Sequence, residues 1–198
     1  MVFFIFSIIV GIIIEKEIKF IGIDYSLSKT GLVILCPDGR YEASLIKVTG
    51  KGIKRTKDLA DTIVDTCGER NIIMIEDVFA GRSPGNAMKI AKGWGMIVCS
   101  LINNGNTVIS MPPSRLRSFI HKGNLGKWKE YIPRVRKQWN VDEYQEDIVA
   151  AYALARAAML WEINRVRPTA IKLISKGLSK KFTPQQVLVI KRQFDLYE

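Results

Sequence analysis

The feature that most constrains this chain is Ile21 to Leu35, IGIDYSLSKTGLVIL, an apolar run that ends in one carboxylate, Asp24, and resumes after a short polar turn containing Gly31. Branched apolar residues on both faces mark a strand covered on both sides, and the Ser26 to Gly31 turn with a second apolar run marks a hairpin. Asp24 therefore stands at the end of a buried strand. Unpaired burial of a carboxylate is costly, so Asp24 either meets a cation or caps the turn through its neighbours' backbone N–H groups. Two further acids lie at the ends of apolar elements, Glu76 in NIIMIEDVF and Asp147 in YQEDIVAAYALA. Three such acids in one small domain suggest a metal site.

Composition narrows the chemistry. At 198 residues, 47% hydrophobic and 25% charged, the chain suits one globular domain with a sizeable core. The net charge of +11 favours a polyanionic partner, either nucleic acid or an acidic membrane surface. Cys36, Cys67 and Cys99 form no CxxC pair and are odd in number, which indicates neither a zinc knuckle nor a disulfide framework and fits a reducing, cytoplasmic compartment. His121 is the sole histidine, which argues against zinc hydrolase chemistry and against triads built on an imidazole base; it reads as a loop residue near a basic surface. Met1 to Ile14, MVFFIFSIIVGIII, would reach roughly 21 Å as a helix, short of the roughly 30 Å hydrocarbon core, and it lacks a basic leader and a small-residue cleavage site. Residues 1–17 are therefore an apolar extension that the domain does not need, with a membrane contact through 1–14 as the minor reading. The domain proper spans 18–164, and 165–198 is a basic extension that either adds nonspecific duplex contacts or is solvated.

Taken in order, the patterns predict strands over Ile18–Ile23, Thr30–Leu35 and Tyr41–Val48, the last after the Pro37-Asp38-Gly39 turn. A helix comes next over Lys54–Cys67, ended by Gly68. Ile72–Ile75 is a strand ending at Glu76, parallel to the first because the helix makes a crossover. Ser83-Pro84 opens a helix carrying Ala87, Ile90, Ala91, Trp94, Val98 and Leu101 on one face, in which Gly93 and Gly95 suggest close backbone packing. Thr107–Met111 is a fifth strand, stopped by Pro112-Pro113. Ser114–Lys129 reads as a basic segment with Gly123 and Gly126 in loops. Lys127–Trp139 reads as a helix that Pro133 starts or kinks. Tyr144–Ile163 is the last strong helix, and Thr183-Pro184 opens a short one in the tail.

This order, with acids on the first strand, at the end of the fourth and on the last helix, is the ribonuclease H-like plan: an α/β fold with a mixed five-stranded sheet flanked by helices. Over roughly Ile18 to Arg156 the residues resemble the RuvC family of Holliday junction resolvases, in particular its divergent phage and viral forms. The motifs are GID with a polar turn and Thr30-Gly31, then IEDVF with a downstream Ala87, Lys89 and Gly95, then D-x-x-A-A from Asp147. The resemblance implies Asp24, Glu76 and Asp147 as metal-binding catalytic acids. Where the family carries a further acid three residues before the last, this chain has Tyr144, so Glu143 or Glu146 must substitute. Continuous helical geometry favours Glu143, four residues before Asp147 on the same face, whereas Glu146 points about 100° away.

The chemistry that such acids serve is phosphodiester hydrolysis by two Mg²⁺ ions, with Mn²⁺ as a substitute, held by shared carboxylates; all-oxygen ligation disfavours zinc. The expected substrate is branched DNA, the four-way junction above all, cut by a homodimer whose contact is the Ser83–Leu101 helix. Phe79 falls where the family places an aromatic that wedges against a base, the alternative being a core phenylalanine. Arg82, Lys89 and Lys92 suit phosphate tracking, as do Arg117, Lys122 and Lys127, of which Arg117 and Lys127 fall near the family's catalytic-face lysines; solvated surface is the plain alternative. Rival readings are a ribonuclease H-like nuclease acting on other branched DNA or RNA–DNA hybrids, and a noncatalytic DNA-binding module, which the intact acids oppose. GIDYSLSKTG also looks like the first phosphate loop of actin and sugar-kinase ATPases. That fold needs a second lobe and a second glycine-rich loop, which this sequence lacks.

Overall fold

The computed structural model describes residues 18–78, 84–122 and 130–177. β1 (Phe20–Asp24), β2 (Thr30–Leu35) and β3 (Tyr41–Ile46) form an antiparallel meander, and α1 (Gly52–Cys67) then carries the chain to β4 (Ile72–Glu76). Because a helix intervenes, β4 lies parallel to β1, and after α2 (Pro84–Asn103) β5 (Thr107–Met111) lies parallel to β4. The sheet order is β3-β2-β1-β4-β5, so β1 is central. The chain continues through α3 (Pro113–Ile120), α4 (Tyr131–Trp139) and α5 (Glu146–Gly177).

Strand alternation divides the core into two layers. Ile21, Ile23, Leu32, Ile34, Ile73 and Ile75 pack with Leu59, Ile63, Ile97 and Leu101 of α1 and α2. Phe20, Val33, Leu35, Ile72 and Met74 pack on the opposite face with α3, α4 and the alanines of α5. The same period of two places Gly22 and Asp24 with Phe20, and Glu76 with Ile72 and Met74. Both acids thus lie at the carboxyl ends of adjacent parallel strands, on the face that α5 covers.

The seating of α5 is unusually close, and two glycines permit it. A Cβ at Gly22 would lie 1.8 Å from the Ala151 carbonyl oxygen and 2.4 Å from the Ala155 nitrogen; one at Gly31 would lie 2.1 Å from the Asp147 carbonyl oxygen. Asp147, Ala151 and Ala155 recur every four residues, so one stripe of the helix meets the β1–β2 ladder backbone to backbone. Gly93, by contrast, makes room for a side chain: its Cβ would meet the Tyr25 hydroxyl at 2.0 Å, whereas nothing among the described residues lies within 4 Å of one at Gly95. The close backbone packing expected of both α2 glycines is therefore found at neither, since Gly93 admits the side chains of Tyr25 and Thr56.

Several boundaries differ from the sequence reading. The stretch from Ser114, read as a basic segment without a helix, opens with α3, because Pro113 starts a helix as well as stopping a strand and Leu116 and Ile120 are buried four residues apart. His121 is buried at the end of that helix, with its Nδ1 3.3 Å from Arg134 Nη1, and is not a surface loop residue. Pro133 lies in the first turn of α4, where its missing N–H costs nothing. α5 starts at Glu146, later than the expected Tyr144, and runs past Ile163 to Gly177. By backbone contacts the chain divides into two compact units, Met1–Met159 and Leu160–Glu198. In the second, Arg165 forks onto Glu162 through two hydrogen bonds of 2.6 Å. No helix among the described residues is long and apolar enough to cross a membrane; residues 1–17 and the expected helix from Thr183 lie outside them.

Gly22→Ala forces a Cβ into helix backbone that cannot yield as a flexible side chain would, and should cost about 3 kcal/mol. Thermal melts should then show a drop of about 6–12 °C. Gly95→Ala fills open space in a helix interior and should raise stability by up to about 1 kcal/mol.

Candidate active site

β1 and β4 are in register through Ile23 and Ile75, and Asp24 and Glu76 are the next residues on each strand. Their carboxyl groups hydrogen-bond to one another. The end of β4 is fixed from both sides, by Trp94 Nε1 donating to the Glu76 carbonyl at 2.9 Å and by the Asp77 N–H donating to the Met111 carbonyl at 2.9 Å. Asp147 arrives on the first turn of α5, set down against Gly31, the residue paired with Asp24 across the β1–β2 ladder.

The β1–β2 turn is capped by Ser26, not Asp24. Its hydroxyl accepts from the N–H groups of Ser28 and Lys29 at 3.3 and 3.2 Å and donates to the Lys29 carbonyl at 2.6 Å, while Thr30 Oγ1 donates to the Ser26 carbonyl at 3.3 Å. Arg55 of α1 holds the turn from outside, donating to the carbonyls of Leu27 and Val48. Of the two roles open to Asp24 in the sequence, turn capping is therefore excluded. The fixed turn aims Lys29 at the acids, where its ammonium forms an ion pair with Asp147 Oδ2.

The electrostatics are those of crowded like charges. Burial pushes the Asp24 carboxyl up from 3.8 to about 8, helped by the negative charge and hydrogen bond of Glu76 and by the charges of Asp147 and Glu146. Burial also raises Glu76, which the hydrogen bond from Asp24 and the nearby Arg117 guanidinium pull back down. The proton belongs to the Asp24–Glu76 pair and not to either residue. Tyr131, fully buried on α4, has its phenol held well above the ordinary range by burial and then by Asp24, Glu76 and Glu146.

The structure separates the expected site residues. Glu76, Asp147 and Glu146 all lie close enough to act on Asp24. Glu143 does not join them: it precedes the first turn of α5, so the four-residue helical spacing that favoured it is absent, and its charge acts on Tyr41 instead. Arg117 faces Glu76. Lys89 is exposed on α2. Lys122 lines an open cleft of about 740 Å³ with Glu130, Pro133, Arg134, Lys137 and Gln138. Phe79, Arg82 and Lys127 lie outside the described residues. Two residues beside the acids carry no signal in the sequence: a lysine in a polar turn, Lys29, reads as solvated, and a tyrosine inside a helical stretch, Tyr131, reads as ordinary core.

As arranged, no three acids among the described residues converge on one point that could hold an ion, because Asp24 and Glu76 turn toward each other and Asp147 toward Lys29. The donor chemistry nonetheless suits Mg²⁺ or Mn²⁺: carboxylates from three elements, partly buried, with excess negative charge and neither thiolate nor imidazole among them.

The five-stranded mixed sheet in the order β3-β2-β1-β4-β5, flanked by helices, defines the fold class, α/β of the ribonuclease H-like kind. The fold is that of RuvC. Similar solved structures include Thermus thermophilus RuvC in complex with a Holliday junction substrate, with a TM-score of 0.60 and 16% identity, covering 70% of this chain and 91% of that one. Another structure of Thermus thermophilus RuvC has a TM-score of 0.56 and 18% identity, covering 68% and 89%. No family model and no curated protein sequence matches the chain.

The shared proton has a consequence for stability. Between 3.8 and about 8 the folded protein keeps a proton that the unfolded chain has released, so stability without metal falls as pH rises through that window. Melts in chelator should show a declining melting temperature from pH 5 to 8, and Asp24→Asn should flatten the decline and raise the value at pH 8.

Proposed function

We propose that the chain is a metal-dependent endonuclease that resolves four-way DNA junctions by paired phosphodiester hydrolysis. The observation that carries this reading is the gathering of Asp24, Glu76, Asp147 and Glu146 from β1, β4 and α5 at one end of the sheet, in a chain of net charge +11. The junction-bound RuvC among the structural neighbours supports the choice of substrate. Asp24, Glu76 and Asp147, with Glu146 as the fourth acid, would hold two Mg²⁺ ions, or Mn²⁺ in their place. When bound, such a pair supplies activation of water and stabilisation of the leaving 3′ oxygen.

The chain's own residues do the rest. Arg117 beside Glu76 would meet non-bridging phosphate oxygens, while Lys89 and Lys92 on the outer side of α2, with Arg82 before it, would follow the backbone. Phe79, three residues after Glu76, would stack on an unpaired base at the crossover. Two symmetric cuts call for two copies of this single site, and Met88 and Ile102, both more than half exposed on α2, supply apolar surface for a homodimer. The compartment consistent with free cysteines is the cytoplasm.

Purified protein with Mg²⁺ should cut a four-way junction in preference to a flap, a plain duplex and an RNA–DNA hybrid offered side by side. Asp24→Asn should abolish cutting and spare junction binding, since affinity comes mainly from phosphate contacts. Preferred cutting of the hybrid would reassign the substrate, and cutting by Asp24→Asn at wild-type rates would remove Asp24 from the site. Phe79→Ala should slow cleavage by about ten- to hundredfold, the worth of one stacked base, with a smaller loss of affinity. A large fall in melting temperature with unchanged activity per folded molecule would return Phe79 to the core.

A further inference from the structure

The reading of the acids as a divalent-ion site leaves Lys29 unexplained. Its backbone is held by the Ser26 cap, by buried Thr30 and, at Leu27, by Arg55, so the ammonium is delivered to Asp147 by a hydrogen-bonded turn. Glu146 and Asp24 also act on it, so one cation answers three acids. The Lys29 side chain is 42% exposed and that of Asp147 17%, which leaves the ammonium a path to water that needs only rotation of the lysine stem. A half-exposed ion pair contributes little to folding. A lysine head is also a compact, strongly hydrated charge, suited to leaving such a pair.

We propose that Lys29 is a built-in counter-ion of the acid cluster, seated on Asp147 where a divalent ion would bind, so that the ion must displace it to load. The inference rests on the metal-site reading above. It accounts for the way the acids pair off while remaining gathered: Asp147 is turned toward Lys29 and becomes available when the ammonium leaves. Its effect is a threshold, since the site fills only at an ion concentration that outcompetes a tethered cation.

The test is calorimetric titration of the metal-stripped full chain with Mn²⁺, for wild type, Lys29→Met and Lys29→Arg. Lys29→Met should bind about tenfold more tightly than wild type, the scale of one unit charge acting across a half-exposed site. Lys29→Arg, which keeps the charge, should bind like wild type or more weakly, and both variants should melt within a few degrees of wild type. Equal and measurable affinities in wild type and Lys29→Met would overturn this inference and leave the metal site standing. No Mn²⁺ binding by any of the three would overturn both.

Discussion

Everything at the strand ends depends on how closely α5 can approach β1 and β2. Gly22 and Gly31 remove the two Cβ atoms that would otherwise strike the backbone of Ala151 and Asp147. The alanines of α5 remove the matching bulk on the other side, and Ala151 and Ala155 are fully buried as a result. One consequence is positional: the first turn of the helix is pressed against Gly31, which is paired with Asp24, so Asp147 cannot be elsewhere. Another is electrostatic. The exposed N–H groups of a helix start favour negative charge, and Glu146 and Asp147 occupy that first turn. A packing contact between small residues thus fixes the place of the acid, and the helix start and Lys29 then favour its charge there.

The acids are the locus of conflict in an otherwise consistent core. Asp24 and Glu76 end strands whose other positions are buried and apolar, and each takes part in offsetting the other's charge through a shared proton. Lys29 offsets Asp147, and Arg117 offsets part of Glu76. A fold selected for stability alone would place apolar residues here, since well-packed hydrophobic groups are often worth more than buried ions. Local rules broken at one place and obeyed around it are what a functional site looks like.

Much of this was legible because the informative patterns are short-ranged. The period of two in FIGID and IIMIE puts Asp24 and Glu76 on one face, and the intervening helix makes their strands parallel, so their meeting can be read from the sequence. β2 and β5 were bounded by the Ser26 to Gly31 turn and by Pro112, and both boundaries hold. The illegible parts depend on tertiary partners. α3 was hidden because Pro113 serves two elements at once and the segment after it is basic. Gly93 and Gly95 look alike in sequence, and only the Tyr25 ring beneath one of them separates their roles. Lys29 gave no signal, since a lysine between polar turn residues is ordinary until the helix carrying Asp147 is laid beside it.

The identity of the fourth acid turns on where α5 begins, and that is decided outside the helix. Arg136 of α4 donates to the Val141 carbonyl at 3.3 Å and to Asp142 Oδ1 at 3.1 Å, and its guanidinium lies 3.5 Å from the centre of the Tyr144 ring. One side chain thus engages Val141, Asp142 and Tyr144 in the segment that precedes the helix, whose first turn starts only at Glu146. Tyr144, which stands where the resembling family carries an acid, is used by this chain to stack on arginine. The engagement of Tyr144 by Arg136 and the approach of Glu146, rather than Glu143, to Asp24 are then one structural event. With Tyr144 engaged by Arg136, Glu143 is left near Tyr41, and the carboxylate that acts on Asp24 from this segment is the one on the first residue of the helix.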